Sequence, residues 1–92
     1  MKFKTGRFAM TRGVNDLIDD NNKFAKHVTR SLQRHAAGDW GDLCEEDWSA
    51  NESALRHGDR LFSVFKGNEL PTIWIITEWD RSVTTVLFPE EY

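Results

Sequence analysis

Charged side chains that could contact a partner are concentrated in two segments of this sequence. One segment carries five carboxylates within nine positions: Asp39, Asp42, Glu45, Glu46 and Asp47. Asp42 and Glu46 are spaced i, i+4 and would share one helical face. Their chemistry suits a solvated helix start, where acidic groups meet the positive end of the helix dipole. It also suits an acidic contact surface that imitates a phosphate backbone in a basic channel.

The second segment is basic, and it falls on one side of a predicted helix at 23–37. Its charged residues are Lys23, Lys26, Arg30 and Arg34, with His27 and His35 nearby. Such a stripe could contact phosphates, or it could be an ordinary solvated helix face. The net charge of −3 disfavours a dedicated nucleic-acid binder, so direct nucleic-acid binding is the alternative expectation here.

Two tryptophans are candidates for anchoring a contact. Trp40 stands between Gly38-Asp39 and Gly41-Asp42, and such a loop could present it as an interface anchor, since Trp is enriched at binding hot spots. It could equally be a core residue that locks the junction of two helices. Trp79 follows an apolar strand, and together with the acidic segment it completes the expected partner-binding set: Asp39, Trp40, Asp42, Glu45, Glu46 and Trp79.

Nothing in the sequence assembles a coherent catalytic, cofactor or metal site. The three histidines lack zinc-ligand spacing and the acidic segment lacks the EF-hand register. Cys44 is expected on the buried side of its helix, where a lone cysteine acts as a small hydrophobe. No phosphate loop, dinucleotide fingerprint or nucleophile elbow is present. We expect a non-enzymatic protein without metal or cofactor.

The composition is that of one small folded domain spanning residues 1–92. Eleven aromatic residues supply the core that a disordered chain lacks. The longest apolar run, 73–76, is far too short to cross a bilayer, and a single cysteine fits a reducing compartment. A cytoplasmic location without membrane contact is therefore expected. Residues 1–37 are basic overall and residues 38–92 acidic, which indicates either halves that neutralise each other or a bipolar surface.

Local signals predict the elements that position these groups. Residues 6–10 form a short strand, and Thr11 caps a short helix. Asn21 or Asn22 starts the helix at 23–37, and Gly38 ends it. A further helix at 43–57 ends at Gly58, with Cys44, Trp48 and Leu55 on its inner side.

After Gly58 the pattern changes to strands, at 60–66, 72–79 and 82–88. The expected fold is α+β: a three- to four-stranded antiparallel sheet with two to three helices on one face and a C-terminal β-hairpin. The other face would carry Trp74 or Trp79 with no covering layer, which suggests a partner or a homodimer.

Three blocks of the chain form a distinctive set: Gly-Arg at 6–7 with Met-Thr-Arg-Gly-Val at 10–14, Gly-Asp-Trp-Gly-Asp-Leu at 38–43, and the segment IITEWDRSVTTVLFPEEY at 75–92. Together they resemble a family of small proteins from bacterial plasmids and phages. The family has no established activity, so the resemblance brings no catalytic residue to this chain. It implies a context, because mobile elements use such proteins to blunt host defences.

The function expected from the residues and this context is inhibition of a host nucleoprotein defence complex, as in anti-CRISPR or anti-restriction proteins. The acidic segment would cover a basic nucleic-acid channel, and Trp40 or Trp79 would anchor the contact. The alternative is a small nucleic-acid-binding regulator that uses the basic helix.

Overall fold

The computed structural model describes all 92 residues and shows an α+β fold, as predicted. One strand comes first in the chain, three helices follow it, and three further strands complete a four-stranded sheet. In chain order the elements are β1 (Arg7–Met10), α1 (Arg12–Asp20), α2 (Asn22–Ala36), α3 (Glu45–His57), β2 (Leu61–Phe65), β3 (Ile73–Thr77), β4 (Val83–Leu87) and a final 3-10 turn (Pro89–Glu91).

Capping side chains start two of the helices, and a glycine ends the third. The Thr11 hydroxyl accepts from the Val14 amide at 3.4 Å, and the Asn21 side chain accepts from the Phe24 amide at 3.1 Å. Both contacts satisfy donors that a helix start leaves unpaired. Gly58 ends α3 in the left-handed conformation, which glycine adopts at little cost.

The sheet has the order β1-β4-β3-β2, and it is mixed. β3 pairs antiparallel with both β2 and β4, but β1 runs parallel to β4. The prediction of a purely antiparallel sheet was therefore wrong at one edge. The three helices and two strands between β1 and β4 form a long crossover, and such a connection permits parallel pairing. The predicted hairpin of β3 and β4 is present, but β4 lies inside the sheet and leads into the 3-10 turn.

The core lies between the helices and one face of the sheet. Phe24 and Val28 from α2 and Val14 from α1 pack on Phe65, Ile73, Ile75 and Val86, all of them at most 1% exposed. The side of α2 that carries Phe24 and Val28 is thus buried, and each such side chain contributes about 1.5–3 kcal/mol by leaving water.

The opposite face of the sheet carries Trp74, not Trp79. The Trp74 ring packs edge-on against Phe62, with 5.0 Å between ring centroids, and against Tyr92 at 5.5 Å. Arg60 donates to the Tyr92 hydroxyl at 2.9 Å. The C-terminal residue therefore covers part of this face from within the chain.

The outer edge of β2 is closed by two devices. The Asn51 side chain of α3 accepts from the Phe62 amide at 3.0 Å and donates to the Phe62 carbonyl at 2.6 Å. The chain at 40–42 then pairs with Val64, whose amide donates to the Trp40 carbonyl and whose carbonyl accepts from the Asp42 amide. Asn51 is the buried residue of α3. Cys44, predicted on the inner side, is exposed at the start of that helix.

Candidate functional site

Asp39, the first residue of the predicted acidic surface, is used inside the chain. Its carboxylate accepts from Arg34 Nε at 2.7 Å and from the Gly41 amide at 3.0 Å. The hydrogen bond from Arg34 lowers the pKa of Asp39. This carboxylate therefore fixes the turn after α2 and partly neutralises the last arginine of the basic stripe.

Asp42 is also a structural residue. Its carboxylate accepts from the Lys66 amide at 2.8 Å and so ties the turn after α2 to the end of β2. The remaining carboxylates of the segment, Glu45, Glu46 and Asp47, are exposed in the first turn of α3 and form no salt bridge. We call these three residues the acidic turn.

Trp40 is a core residue, so its expected role as a partner anchor was wrong. Its side chain is 0% exposed, stacks on Phe3 with 6.0 Å between ring centroids, and meets the His35 ring edge-on at 5.4 Å. The pairing of the 40–42 segment with Val64 turns the indole inward. Of the two roles that the sequence allows for Trp40, an exposed interface anchor or a core residue at the junction of two helices, the structure supports the core residue.

Trp79 is exposed, but it lies away from the acidic turn. It is 67% exposed in the loop between β3 and β4. In that loop Arg81 donates to the Asp59 carbonyl at 2.7 Å, which places the loop beside the C-terminal end of α3. The acidic turn is at the other end of this 13-residue helix, a separation of about 20 Å along the axis. The expected partner-binding residues thus divide into two separate places.

The basic stripe of α2 gains a residue that its sequence spacing did not indicate. Lys66, at the end of β2, lines the same depression as Lys23, Lys26, Arg30 and Arg34, with a volume of about 360 Å³. We call these five residues the basic groove. Only Arg34 is engaged in a salt bridge. Lys66 lies at the end of the strand predicted at 60–66, but its approach to α2 depends on the tertiary fold.

His27 lies under the loop that borders the basic groove. Its Nε2 atom is buried without a hydrogen-bond partner. Burial lowers the pKa of His27, and the charges of Arg30 and Arg34 lower it further, against a backbone hydrogen bond to Phe65 that raises it. His27 is therefore neutral at pH 7 and adds no charge to the groove.

A third polar cluster is wholly internal. His35 contacts the Ser63 hydroxyl through Nδ1 and the Thr77 hydroxyl through Nε2, the latter at 2.9 Å. The series of hydrogen bonds continues from the Thr77 hydroxyl to the Thr84 hydroxyl at 2.7 Å. Thr84 in turn donates to the Thr5 carbonyl at 2.7 Å. A serine beside a histidine has the composition of an activated nucleophile. Here both side chains are 0% exposed, so the pair is out of reach of a substrate.

Sequence reasoning missed this cluster because its members come from five separated parts of the chain. The one local signal was polar Ser63 and Thr77 at inward-facing positions of otherwise apolar strands. Burial lowers the pKa of His35 to about 4, with a further contribution from Arg81. The imidazole is neutral and serves as a hydrogen-bonding spacer between α2 and the sheet.

Comparisons of the chain with protein families, curated proteins and solved structures found no match. No group of three His, Cys, Asp or Glu side chains is placed to hold a metal ion. None of the helices has the length and apolar character needed to span a membrane.

Proposed function

We propose that this chain is a non-enzymatic, cytoplasmic protein of a mobile genetic element that binds and inhibits a host nucleoprotein defence complex. The context comes from the family resemblance of its three sequence blocks. The observation that carries the proposal is the acidic turn: three neighbouring carboxylates, exposed and without an internal partner. A defence complex that grips nucleic acid offers the basic channel that such a surface fits.

The contact surface is smaller than the whole acidic segment. Asp39 and Asp42 hold internal contacts, and changing either would disturb the fold before it changed the surface. Glu45, Glu46 and Asp47 are therefore the electrostatic contact in this proposal. Trp79 belongs to it only as a second, distant contact, since an ordinary interface covers about 800 Å² per partner and would have to extend along α3 to reach it.

The test is a pull-down of tagged protein from bacterial lysate, with nuclease treatment and mass spectrometry. We expect recovery of a CRISPR or restriction complex by the wild type and its loss with E45K/E46K/D47K. The matched control is D16K/D19K/D20K, which reverses three exposed carboxylates of α1 and should keep the partner. Binding should also weaken as salt is raised.

Two results would reject the proposal. One is recovery of the same complex by the acidic-turn variant at wild-type level. The other is absence of any defence complex from the wild-type sample in a host whose defence the protein suppresses.

A second candidate function is nucleic-acid binding through the basic groove, and the position of Lys66 specifically favours it. Lys23, Lys26, Arg30 and Lys66 are free of salt bridges around one depression. Four phosphate contacts predict a slope of about −3 to −4 for the logarithm of affinity against that of salt. A mobility shift with duplex or single-stranded DNA that K23E/K26E/R30E removes and K4E/R7E/R12E keeps would support it, and no shift would remove it.

A further inference from the structure

The two edges of the sheet are treated differently. The β2 edge is closed by the Asn51 side chain and by the chain at 40–42. The β1 edge has no such cover: β1 is the terminal strand of the sheet and pairs with β4 alone. Open edges invite another strand, and proteins usually block them. β1 is only four residues long and has Lys4, Arg7 and Arg12 in or beside it, and both features discourage uncontrolled pairing at an edge. Neither supplies hydrogen-bond partners to the outer backbone groups of the strand.

Backbone geometry shows which groups this edge offers. The Arg7 and Thr11 amides donate to β4, at the Ser82 and Val86 carbonyls. Because a parallel pair uses alternate residues of each strand, the amides and carbonyls of Phe8 and Met10 face away from β4. They form a short, regular row of donors and acceptors that a further extended strand would satisfy.

Apolar side chains surround this row. Phe8 is 54% exposed, Met10 37% and Met1 90%, three of the five large hydrophobic residues exposed on the molecule. Next to Phe8, between β1 and α2, lies a depression of about 420 Å³ whose walls include Leu32 and Ala36. Strand-adding sites combine a free edge with pockets for alternate side chains of the added segment.

The charge around the edge selects the occupant. Residues 1–15 contain no Asp or Glu, and their four basic side chains form no salt bridge: Lys2, Lys4, Arg7 and Arg12. Two carboxylates from the rest of the chain lie near the ends of β1: Glu91 accepts from the Thr11 hydroxyl, and Asp80 accepts from the Ser82 amide beside Arg7. The four basic side chains outnumber them. A second copy paired antiparallel about Ala9 would bring this set against itself, with Arg12 beside the other copy's Arg7. An acidic segment would be attracted to the same place.

We propose that the β1 edge binds an extended segment of a partner protein in which apolar residues alternate and acidic residues flank them. The segment becomes a fifth strand next to β1, bonded to the backbone of Phe8 and Met10. One of its apolar side chains enters the depression beside Phe8. The inference rests on the edge and its basic surroundings, so it holds whether or not the acidic turn contacts a defence complex.

The test uses a library of random peptides selected against the full-length protein. We expect enriched sequences with alternating apolar residues and flanking Asp or Glu. For one selected peptide, F8K/M10K and K4E/R7E/R12E should each weaken affinity by about tenfold or more. The control Y92K changes an exposed aromatic residue that packs on Trp74 of β3 and on Arg60, away from β1, and should leave the affinity unchanged. Hydrogen exchange should show new protection of the Phe8 and Met10 amides when that peptide is bound.

Three outcomes would overturn the proposal. The first is a selection that enriches no acidic peptides. The second is binding that leaves the Phe8 and Met10 amides unprotected, or that survives F8K/M10K in a folded variant. The third is a wild-type dimer in light scattering that F8K/M10K converts to a monomer, because the edge would then be occupied by a second copy.

Discussion

At the scale of single residues, the hydrogen bonds of the buried polar cluster around His35 allow one consistent assignment of donors and acceptors. Thr84 must donate to the Thr5 carbonyl, so its oxygen accepts from the Thr77 hydroxyl. The Thr77 oxygen then accepts from His35, which fixes a proton on Nε2 and leaves Nδ1 to accept from Ser63. The Ser63 hydroxyl has an acceptor at Nδ1 only while the imidazole is neutral, because a charged imidazole carries a proton on both nitrogens.

This arrangement predicts a loss of stability in mild acid. The pKa of His35 is about 4 in the folded protein, below its ordinary value of 6.5, so the unfolded chain binds the additional proton between these values. The free energy of unfolding should therefore fall by about 2 kcal/mol between pH 7 and pH 5 on account of His35. Urea unfolding at several pH values measures the slope.

The variant H35Q removes this titration while retaining a polar side chain. We expect it to be less stable at pH 7 and to have a shallower dependence on pH. His27, whose pKa is also lowered, keeps the remaining slope. An undiminished slope in folded H35Q would contradict the assignment to His35.

At the scale of elements, two glycines with nearly the same positive φ angle have different surroundings. Gly41 has φ +75°, and a Cβ there would overlap the Val64 carbonyl oxygen, within the pairing that closes β2. Gly58 has φ +73°, and a Cβ there would meet nothing within 4 Å. Gly58→Ala should cost about 1 kcal/mol through conformation alone.

Gly41→Ala should cost several times as much as Gly58→Ala, because the strand edge must also move away. Chemical unfolding of both variants gives the comparison, and hydrogen exchange at the Asp42 amide, which donates to Val64, shows whether the pairing has opened. Equal costs would mean that the 40–42 segment relaxes freely and contributes little to the closure of β2.

The sequence predicts elements better than it predicts their pairing. Asn21 and Gly58 are local signals, and the helix boundaries they indicate are correct within a residue or two. The parallel pairing of β1 with β4 has no such signal, since four residues of strand are compatible with either direction. The same limit applies to the candidate sites: the spacing on α2 indicates its basic stripe, whereas only the folded chain brings Lys66 beside it and turns Trp40 inward.

At the scale of the whole molecule, residues 1–5 join the helices to the sheet. The Lys2 amide donates to the Ala36 carbonyl. The Phe3 ring lies on Trp40 and against His35. The Thr5 carbonyl accepts the last hydrogen bond of the buried polar cluster. β1 follows directly. One short stretch of chain thus contains a structural strap and, a few residues later, the open edge.

These two roles predict different losses of stability for two phenylalanines five positions apart. Phe3→Ala removes the ring that covers Trp40 and should cost about 2–3 kcal/mol, near the lower limit for truncating a packed aromatic residue. Phe8→Ala removes a side chain that is 54% exposed and only borders the depression next to α2, so its cost should be about 1 kcal/mol. Urea unfolding gives both values, and tryptophan emission in a W79F background should shift to longer wavelength only for Phe3→Ala. Similar costs for the two variants would contradict this expectation. Phe8 would then stabilise the fold itself, and its exposure would no longer support a binding site at the β1 edge.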